Sequence, residues 1–107
     1  MKLYKGIRII PGYKAMVYVD NNILDPNVSR IIRDYSEDFE WNYFGSGPSQ
    51  LALAILYDVT GNKDIALLYC QDFKNEYIGQ FEQNGFILLE SQVKNWLDAQ
   101  LRNSEEE

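Results

Sequence analysis

The residues best suited to chemistry in this sequence form a short turn, Gly45-Ser46-Gly47-Pro48. Pro48 suits the first position of a helix, where a missing N–H costs nothing, and Ser46 or Gly47 would then be the N-cap. Free amides and the dipole of such a helix start favour an anion, and Gln50 could add a side-chain amide. The turn therefore has two interpretations, structural capping or a phosphate or nucleotide site. It is not a P-loop, because the Gly-Lys-Ser/Thr ending is absent.

Aromatic residues precede this turn at alternate positions. Alternation would place Phe39, Trp41 and Tyr43 on one side of an extended chain, where they could stack a base or a ring. Packing over the start of a core helix is the alternative, and we favour it for Phe39 and Trp41. Tyr43 and Phe44 lie nearer the turn and are expected to be exposed. The candidate ligand-binding or partner-binding residues are therefore Trp41, Tyr43, Phe44, Gly45, Ser46, Gly47 and Gln50.

The sequence contains no histidine and a single cysteine, Cys70. Without histidine, the usual general base is absent, and Ser-His-Asp and Cys-His catalysis are excluded within one chain. Cys70 lies beside an apolar stripe, which predicts a buried, inert thiol. Glu37, Asp38 and Glu40 could hold Mg²⁺, but nearly consecutive carboxylates on a loop are typical of a solvated surface. We predict no catalytic residue, no metal site and no cofactor.

The net charge of −6 is unevenly distributed along the chain. Residues 1–35 hold six basic and three acidic residues, whereas residues 36–107 hold four basic and thirteen acidic residues. An acidic surface opposes nonspecific binding of nucleic acid, and it suits either a basic protein partner or simple solubility. The basic residues of the first part could form a docking face, or they could protect strand edges. They are mainly Lys5, Arg8, Lys14, Arg30 and Arg33.

Runs of β-branched and aromatic residues predict three strands in the first quarter of the chain. They are residues 3–10, residues 14–19 and the short pair 23–24, with turns at Pro11-Gly12 and Asp20-Asn21-Asn22. Residues 27–35 could form a short helix capped near Asp25 or a strand, and we interpret them as extended.

Apolar periodicity predicts three helices in the remainder of the chain. Residues 48–59 are apolar nearly all round, which is typical of a central core helix, and Gly61-Asn62 would end it. The second helix spans residues 63–81, with an apolar stripe at Ile65, Leu68, Tyr69, Phe73, Tyr77 and Phe81. A turn at Asn84-Gly85 and a strand at residues 86–89 follow. Ser91 would cap the last helix, residues 92–101, whose inward residues are Val93, Trp96, Leu97 and Leu101.

Strands that precede helices indicate an α+β fold. We predict an N-terminal antiparallel hairpin or small sheet packed on about three helices, with the central helix buried. A length of 107 residues suits one domain, which we place at residues 1–102, followed by a disordered acidic tail at 103–107. The longest apolar stretch, residues 51–57, is too short to span a bilayer. We therefore expect a soluble, cytoplasmic protein without membrane contact.

One pattern covers the aromatic residues and the turn: Phe39-x-Trp41-x-Tyr43-x-Gly45-Ser46-Gly47-Pro48-x-Gln50-Leu51-Ala52-Leu53-Ala54. It resembles the signature of an uncharacterised prokaryotic and viral domain of unknown function. Further similar features are Tyr4-x-Gly6-x-Arg8, Leu24-Asp25-Pro26, Tyr69 with Phe73-Lys74, and Trp96-Leu97. Asn42 stands where the family usually has glycine, and asparagine is the next best residue for a left-handed backbone. The resemblance implies a fold and a cytosolic prokaryotic or viral setting, and it implies no activity.

Small size, the lack of histidine and the acidic second part favour a non-enzymatic interaction protein that binds another macromolecule. An inhibitor of a host defence factor is one concrete version. The alternative is a small-ligand domain that binds a phosphate or nucleotide at the glycine turn. We expect a protein partner and no nucleic acid, and a homodimer is compatible with the tyrosine content and an open β edge.

Overall fold

A computed structural model describes residues 1–8 and 15–106, without the side chains of residues 105 and 106. Its antiparallel sheet has the strand order β3-β2-β1-β4. The strands are β1 (Leu3–Ile7), β2 (Met16–Val19), β3 (Asn22–Ile23) and β4 (Gly85–Leu89). The four helices are α1 (Pro26–Ile32), α2 (Ser46–Thr60), α3 (Lys63–Glu76) and α4 (Glu90–Glu106). The predicted α+β class, with an N-terminal hairpin and a buried central helix, is confirmed.

Alternation along the strands gives the sheet one buried face and one outer face. Tyr4, Val17, Phe86 and Leu88 point to the buried face and belong to the hydrophobic core that the helices share. Between β2 and β3, Asp20 and Asn21 adopt φ values of 48° and 72°, so the turn predicted there is confirmed. The predicted turn at Pro11-Gly12, and the predicted strand ends at Ile10 and Lys14, lie outside the described residues.

The extended conformation predicted for residues 27–35 is wrong, because α1 occupies most of this segment. The carboxylate of Asp25 accepts a hydrogen bond from the backbone N–H of Asn27 at 2.9 Å, which caps the helix. Pro26 occupies the first turn, where its missing N–H costs nothing. A good N-cap and a proline at the helix start therefore outweigh the β-branched residues that favoured a strand.

Helix α2 begins at Ser46, two residues before the predicted start at Pro48. Its N-cap is Gly45, so the assignment of Ser46 or Gly47 as N-cap is wrong, and no side chain caps the helix. The backbone N–H of Ser49 closes the first turn on the Gly45 carbonyl at 3.1 Å. Pro48 fits within this turn because the first four amides of a helix have no partner inside the helix.

Every α2 residue from Gly47 to Leu56 is buried, which makes α2 the centre of the core. Gly61 ends the helix with φ 66° and donates its N–H to the Tyr57 carbonyl. The predicted glycine cap is confirmed.

Helix α3 ends at Glu76, five residues before the predicted end at Phe81. Tyr77 leaves the helical region at φ −125° and ψ −66°, and a 3₁₀ turn at Ile78–Gln80 follows. Phe81 instead stacks on Phe86 of β4 with ring centroids 4.4 Å apart. Contact with the sheet therefore overrides the helical periodicity at this point.

The predicted stripe of α3 is confirmed in part, because Phe73 is buried and Ile65 and Tyr69 are partly buried against the core. The fully buried residues of the helix form a stripe of their own. Its members are Ala66, Cys70 and Phe73, which follow the helical steps of four and three residues. Leu68 is 69% exposed and lies outside the stripe. The prediction weighted large residues and overlooked the small ones that let α3 pack closely against α2.

Helix α4 follows β4 directly, so Ser91 lies inside the helix instead of capping it. The backbone N–H of Glu90 bonds the Lys2 carbonyl at 3.0 Å and couples the helix start to β1. Val93, Trp96 and Leu97 are buried as predicted, whereas Leu101 is 37% exposed. The helix continues through Glu106, into the segment for which we predicted a disordered tail. Within the described residues, no helix combines the length and apolar character needed to cross a membrane.

Candidate functional site

The candidate site lies where the chain enters α2. We call Tyr43, Phe44 and the backbone of residues 45–47 the aromatic corner. Tyr43 is 48% exposed and Phe44 is 56% exposed, as predicted, whereas Trp41 is buried at 1%. Asn42, between them, has φ 75°, so the predicted left-handed residue is confirmed. This sharp turn sends Trp41 into the core and Tyr43 to the surface, so the predicted common side for these two residues is wrong.

The Tyr43 ring packs against the glycine turn. A Cβ atom on Gly45 would stand only 2.5 Å from Cε2 of Tyr43, and one on Gly47 would stand 3.1 Å from the tyrosine hydroxyl oxygen. Because real Cβ atoms do not approach other atoms so closely, any larger residue at Gly45 would displace the ring. The glycines of the motif therefore serve a close approach between backbone and ring.

The Phe44 ring is held in the same way by a glycine distant in sequence. Gly79, in the 3₁₀ turn after α3, is buried, and a Cβ atom there would collide with Cε1 and Cδ1 of Phe44. The backbone N–H of Asn42 also bonds the Ile78 carbonyl at 3.1 Å. Both exposed rings therefore pack against glycine backbone on one side and face solvent on the other.

Trp41 presents no surface for stacking a ligand. Its indole N–H donates to the Gln83 carbonyl at 3.1 Å, and its ring meets Phe86 edge-on at 5.1 Å between centroids. The guanidinium of Arg8 lies 4.9 Å from the indole centroid, and the same group forms a bidentate pair with Glu40. Packing, the alternative that we favoured for Trp41, is confirmed.

Gln50 also points away from the aromatic corner. It is fully buried, and its amide oxygen accepts the N–H groups of Tyr35 and Ser36 at 2.7 and 3.1 Å. Its amide nitrogen donates to the Ser29 hydroxyl at 2.8 Å. Gln50 therefore ties α1 and the following loop to α2, and its side chain does not reach a ligand at the turn.

The start of α2 offers little to an anion. Pro48 has no N–H, and the Ser49 N–H is bonded within the first turn. Three amides remain, those of Gly45, Ser46 and Gly47, and Gly47 is buried beneath the side chains of Tyr43 and Glu40. Phosphate sites at helix starts usually combine several accessible amides. At this corner the accessible amides are those of Ser46, which is exposed, and Gly45, which is half-buried.

The sequence profile of a family of unknown function, DUF6166, matches residues 4–99. The chain belongs to the DUF6166 family. The match extends from β1 into α4 and includes the whole aromatic corner, so these features belong to the domain that the family defines. No curated protein and no solved structure matches the chain. Membership agrees with the uncharacterised domain that the sequence resembles.

Within the described residues, the basic residues of the first part of the DUF6166 chain do not share one face. Arg8 is bonded to Glu40, and Arg30 of α1 pairs with Asp34 at 2.9 Å. Lys5 lies on the outer face of the sheet and Arg33 lies over the Tyr35 ring at 5.1 Å, whereas Lys14 lies outside the described residues. The docking face considered for these residues is therefore not formed by the described ones.

The acidic residues before the corner divide between surface and ion pair. Glu37 is exposed, as a solvated loop predicts. Glu40 instead accepts both arms of the Arg8 guanidinium, so the solvated role predicted for it is wrong. Within the described residues, no group of three or more His, Cys, Asp or Glu side chains could hold a metal ion.

Cys70 is fully buried, as predicted. Burial raises the pKa of its thiol, and its sulfur lies 3.6 Å from the Tyr35 hydroxyl. Since the thiolate is the reactive form, we expect no reaction of the folded protein with Ellman's reagent at pH 8 over an hour, and complete reaction in urea. Rapid labelling without denaturant would contradict this prediction.

The outer face of the sheet is a second exposed surface, and sequence reasoning did not single it out. Cross-strand pairing aligns Tyr18, Lys5 and Ile87 in one row. Ile87 is 64% exposed, and Leu89 on the same strand is 41% exposed. The apolar run at residues 86–89 has no alternation of polar and apolar residues, so no sequence signal marked an exposed side of this strand. This face serves below as the control surface.

Proposed function

We propose that this DUF6166 protein is a small, non-enzymatic interaction protein that binds a protein partner through the aromatic corner. The supporting observation is a pair of half-exposed aromatic rings, Tyr43 and Phe44, held against glycine backbone. Aromatic residues are enriched at protein interfaces and among the residues that dominate binding energy. Two exposed aromatic rings that pack against backbone are well suited to a contact with a protein partner.

The packing of the Tyr43 and Phe44 rings against backbone strengthens this argument. Association costs about 0.5–1.5 kcal/mol for each flexible side chain that the interface immobilises. Tyr43 and Phe44 already rest on the backbone at Gly45 and Gly79, and α2 behind them is the core of the domain. Little further ordering is needed when a partner covers them.

The charge of the chain supports a basic partner. Residues 36–107, which include the corner, contain thirteen acidic and four basic residues. Complementary charge accelerates association and makes it sensitive to salt. An inhibitor of a host defence factor is one concrete form of this function, and it has the same test.

The test is a double variant, Tyr43→Ala with Phe44→Ala, compared with Ile87→Ser on the outer face of the sheet. Immobilised wild-type protein is used at low salt to capture a discrete partner from host lysate, which is then purified. We expect the double variant to weaken binding of that partner about tenfold or more, since hot-spot residues contribute about 2 kcal/mol each. The Ile87 variant is expected to bind like the wild type. Affinity is measured by biolayer interferometry, and melting curves check that each variant is folded.

Different results would identify different interfaces. If the Ile87 variant loses the partner and the double variant does not, the outer face is the interface and the corner is not. If no partner is captured at low salt, the interaction function is contradicted. If the captured protein is the same chain, and its dimerisation is lost in the double variant, the partner is a second copy.

A further inference from the structure

The far end of α2 carries a cleft that has a different chemistry from the aromatic corner. Its volume is about 400 Å³, and it lies between β3, α1 and the last turns of α2. The residues that line it include Ile23, Leu24, Asp25, Val28, Tyr57 and Asp58. We infer that this cleft binds a basic side chain, arginine or lysine, of the protein partner. The inference rests on the proposed function and assigns a chemistry to the partner.

The walls of the cleft are apolar and partly uncovered. Ile23 is 62% exposed and Val28 is 52% exposed, and the Tyr57 side chain lines the same cleft. Aliphatic side chains this exposed lose contact with water when another apolar group covers them. The methylene stem of arginine or lysine is such a group. With the stem on the apolar walls, the charged head group can bind a carboxylate at the edge of the cleft.

Both charged residues that line the cleft are acidic. One oxygen of Asp25 caps α1 by accepting the Asn27 N–H. One oxygen of Asp58 accepts the Tyr4 hydroxyl at 2.7 Å and the Lys2 ammonium at 3.1 Å. Among the described residues, the second oxygen of each carboxylate has no hydrogen-bond donor. Each aspartate therefore retains acceptor capacity for a cation at the cleft.

The end of α2 adds to the negative potential. This helix has 15 residues and no basic residue in its last turn, so the partial negative charge of its C-terminus is not offset by its own side chains. The ammonium of Lys2 lies here and donates to the Asp58 backbone carbonyl at 3.3 Å. Lys2 therefore offsets part of the negative charge of Asp58 and of this helix end. Asp25 is the carboxylate of the cleft that has no ion-pair partner among the described residues.

These features together select the occupant. A neutral aliphatic or aromatic group would cover the apolar walls and leave the second oxygen of each carboxylate without a donor, and an anion would be repelled by the carboxylates. A guanidinium or ammonium on an apolar stem satisfies both, and an arginine guanidinium can also stack on a tyrosine ring. The acidic excess of residues 36–107 would attract the same partner.

The experiment uses butylguanidine as the probe and butylurea as its neutral counterpart of nearly the same shape. Each is titrated into ¹⁵N-labelled full-length protein while amide chemical shifts are recorded. We expect butylguanidine to shift the amides of Ile23, Val28 and Gly61 in a saturable way that weakens with salt. Butylurea is expected to bind about fivefold more weakly or not measurably, because an exposed charge pair contributes up to about 1 kcal/mol.

Asp25→Asn is the diagnostic variant, because asparagine caps a helix as well as aspartate does and removes only the charge. We expect it to weaken butylguanidine binding about fivefold and to weaken binding of the captured partner by a similar factor. Asp64→Asn is the matched control, since Asp64 is an exposed first-turn residue of α3 outside the cleft. This control is expected to bind like the wild type.

The proposal is overturned if butylurea and butylguanidine bind equally, if Asp25→Asn has no effect, or if the shifted amides lie outside the cleft. These outcomes leave the aromatic corner unaffected, because the titration uses no partner. The two proposals can also separate in the opposite way. If no partner is captured but butylguanidine binds specifically, the proposed function is contradicted, and the binding of a basic group in the cleft is supported.

Discussion

Replacing Gln50 with alanine is expected to lower the free energy of unfolding by about 4 kcal/mol. The side chain is fully buried and satisfies the backbone N–H groups of Tyr35 and Ser36 and the hydroxyl of Ser29. Its removal leaves two partly buried backbone donors without their acceptor and opens a cavity beside α2. Each unsatisfied buried group costs about 1–3 kcal/mol, and the cavity adds to that cost.

Two further variants separate these causes. Gln50→Met keeps most of the volume and removes the hydrogen bonds, so we expect a loss of about 2–3 kcal/mol. Gln92→Ala is the surface control, because Gln92 accepts only the Leu89 N–H at 2.9 Å in an exposed position, and its loss should cost under about 1 kcal/mol. Urea unfolding followed by circular dichroism gives the free energies. A Gln50→Ala protein with wild-type stability would show that these hydrogen bonds do not hold α1 and its loop.

Gln50 also illustrates where prediction from sequence was incomplete. Its position two residues after Pro48 suggested an amide available to a ligand at the turn. The side chain of a residue in the first turn of a helix can point outward or inward, and the choice depends on what packs there. Here α1 packs against α2 and brings Ser29 to the amide nitrogen. Since α1 was interpreted as extended, the partner of Gln50 could not be identified.

Several features set by local chemistry were predicted correctly, although the local start signals of α1, Asp25 and Pro26, were given too little weight. The all-apolar stretch of α2, the left-handed Asn42 and the glycine cap at Gly61 depend on neighbouring residues, and all three are confirmed. Features set by distant contacts were predicted poorly. Helix α3 stops at Glu76, and Phe81 then packs on Phe86 of the sheet. The residues around Glu76 contain no local signal for this contact.

The candidate site divides in the same way. Tyr43 and Phe44 were expected to be exposed because they lie next to a turn, and they are. That Phe44 rests on Gly79, 35 positions later, could not be predicted from one sequence. The cleft was also not predicted, because it forms where α1 meets the end of α2. From the sequence we interpreted the α1 segment as extended, which did not bring these two helices together.

Replacing Trp41 with alanine is expected to lower the free energy of unfolding by about 4 kcal/mol, within the range for a buried tryptophan. The ring is 1% exposed and packs edge-on against Phe86. Its loss also leaves the Gln83 carbonyl without the indole donor and removes the ring beneath the guanidinium of Arg8. Arg8 also pairs with Glu40. The loop before the aromatic corner would therefore lose the packing of Trp41, and the ion pair of Glu40 would be weakened.

Trp41→Phe separates packing from hydrogen bonding. Phenylalanine keeps an aromatic ring in the core and lacks the indole N–H, so we expect a loss of about 1–2 kcal/mol. This variant should bind the protein partner like the wild type, because residue 41 does not reach the surface that Tyr43 presents. Urea unfolding and partner affinity are measured on the same preparations. If Trp41→Phe kept wild-type stability but lost the partner, Trp41 would have to contact the partner, and the buried packing role would be overturned.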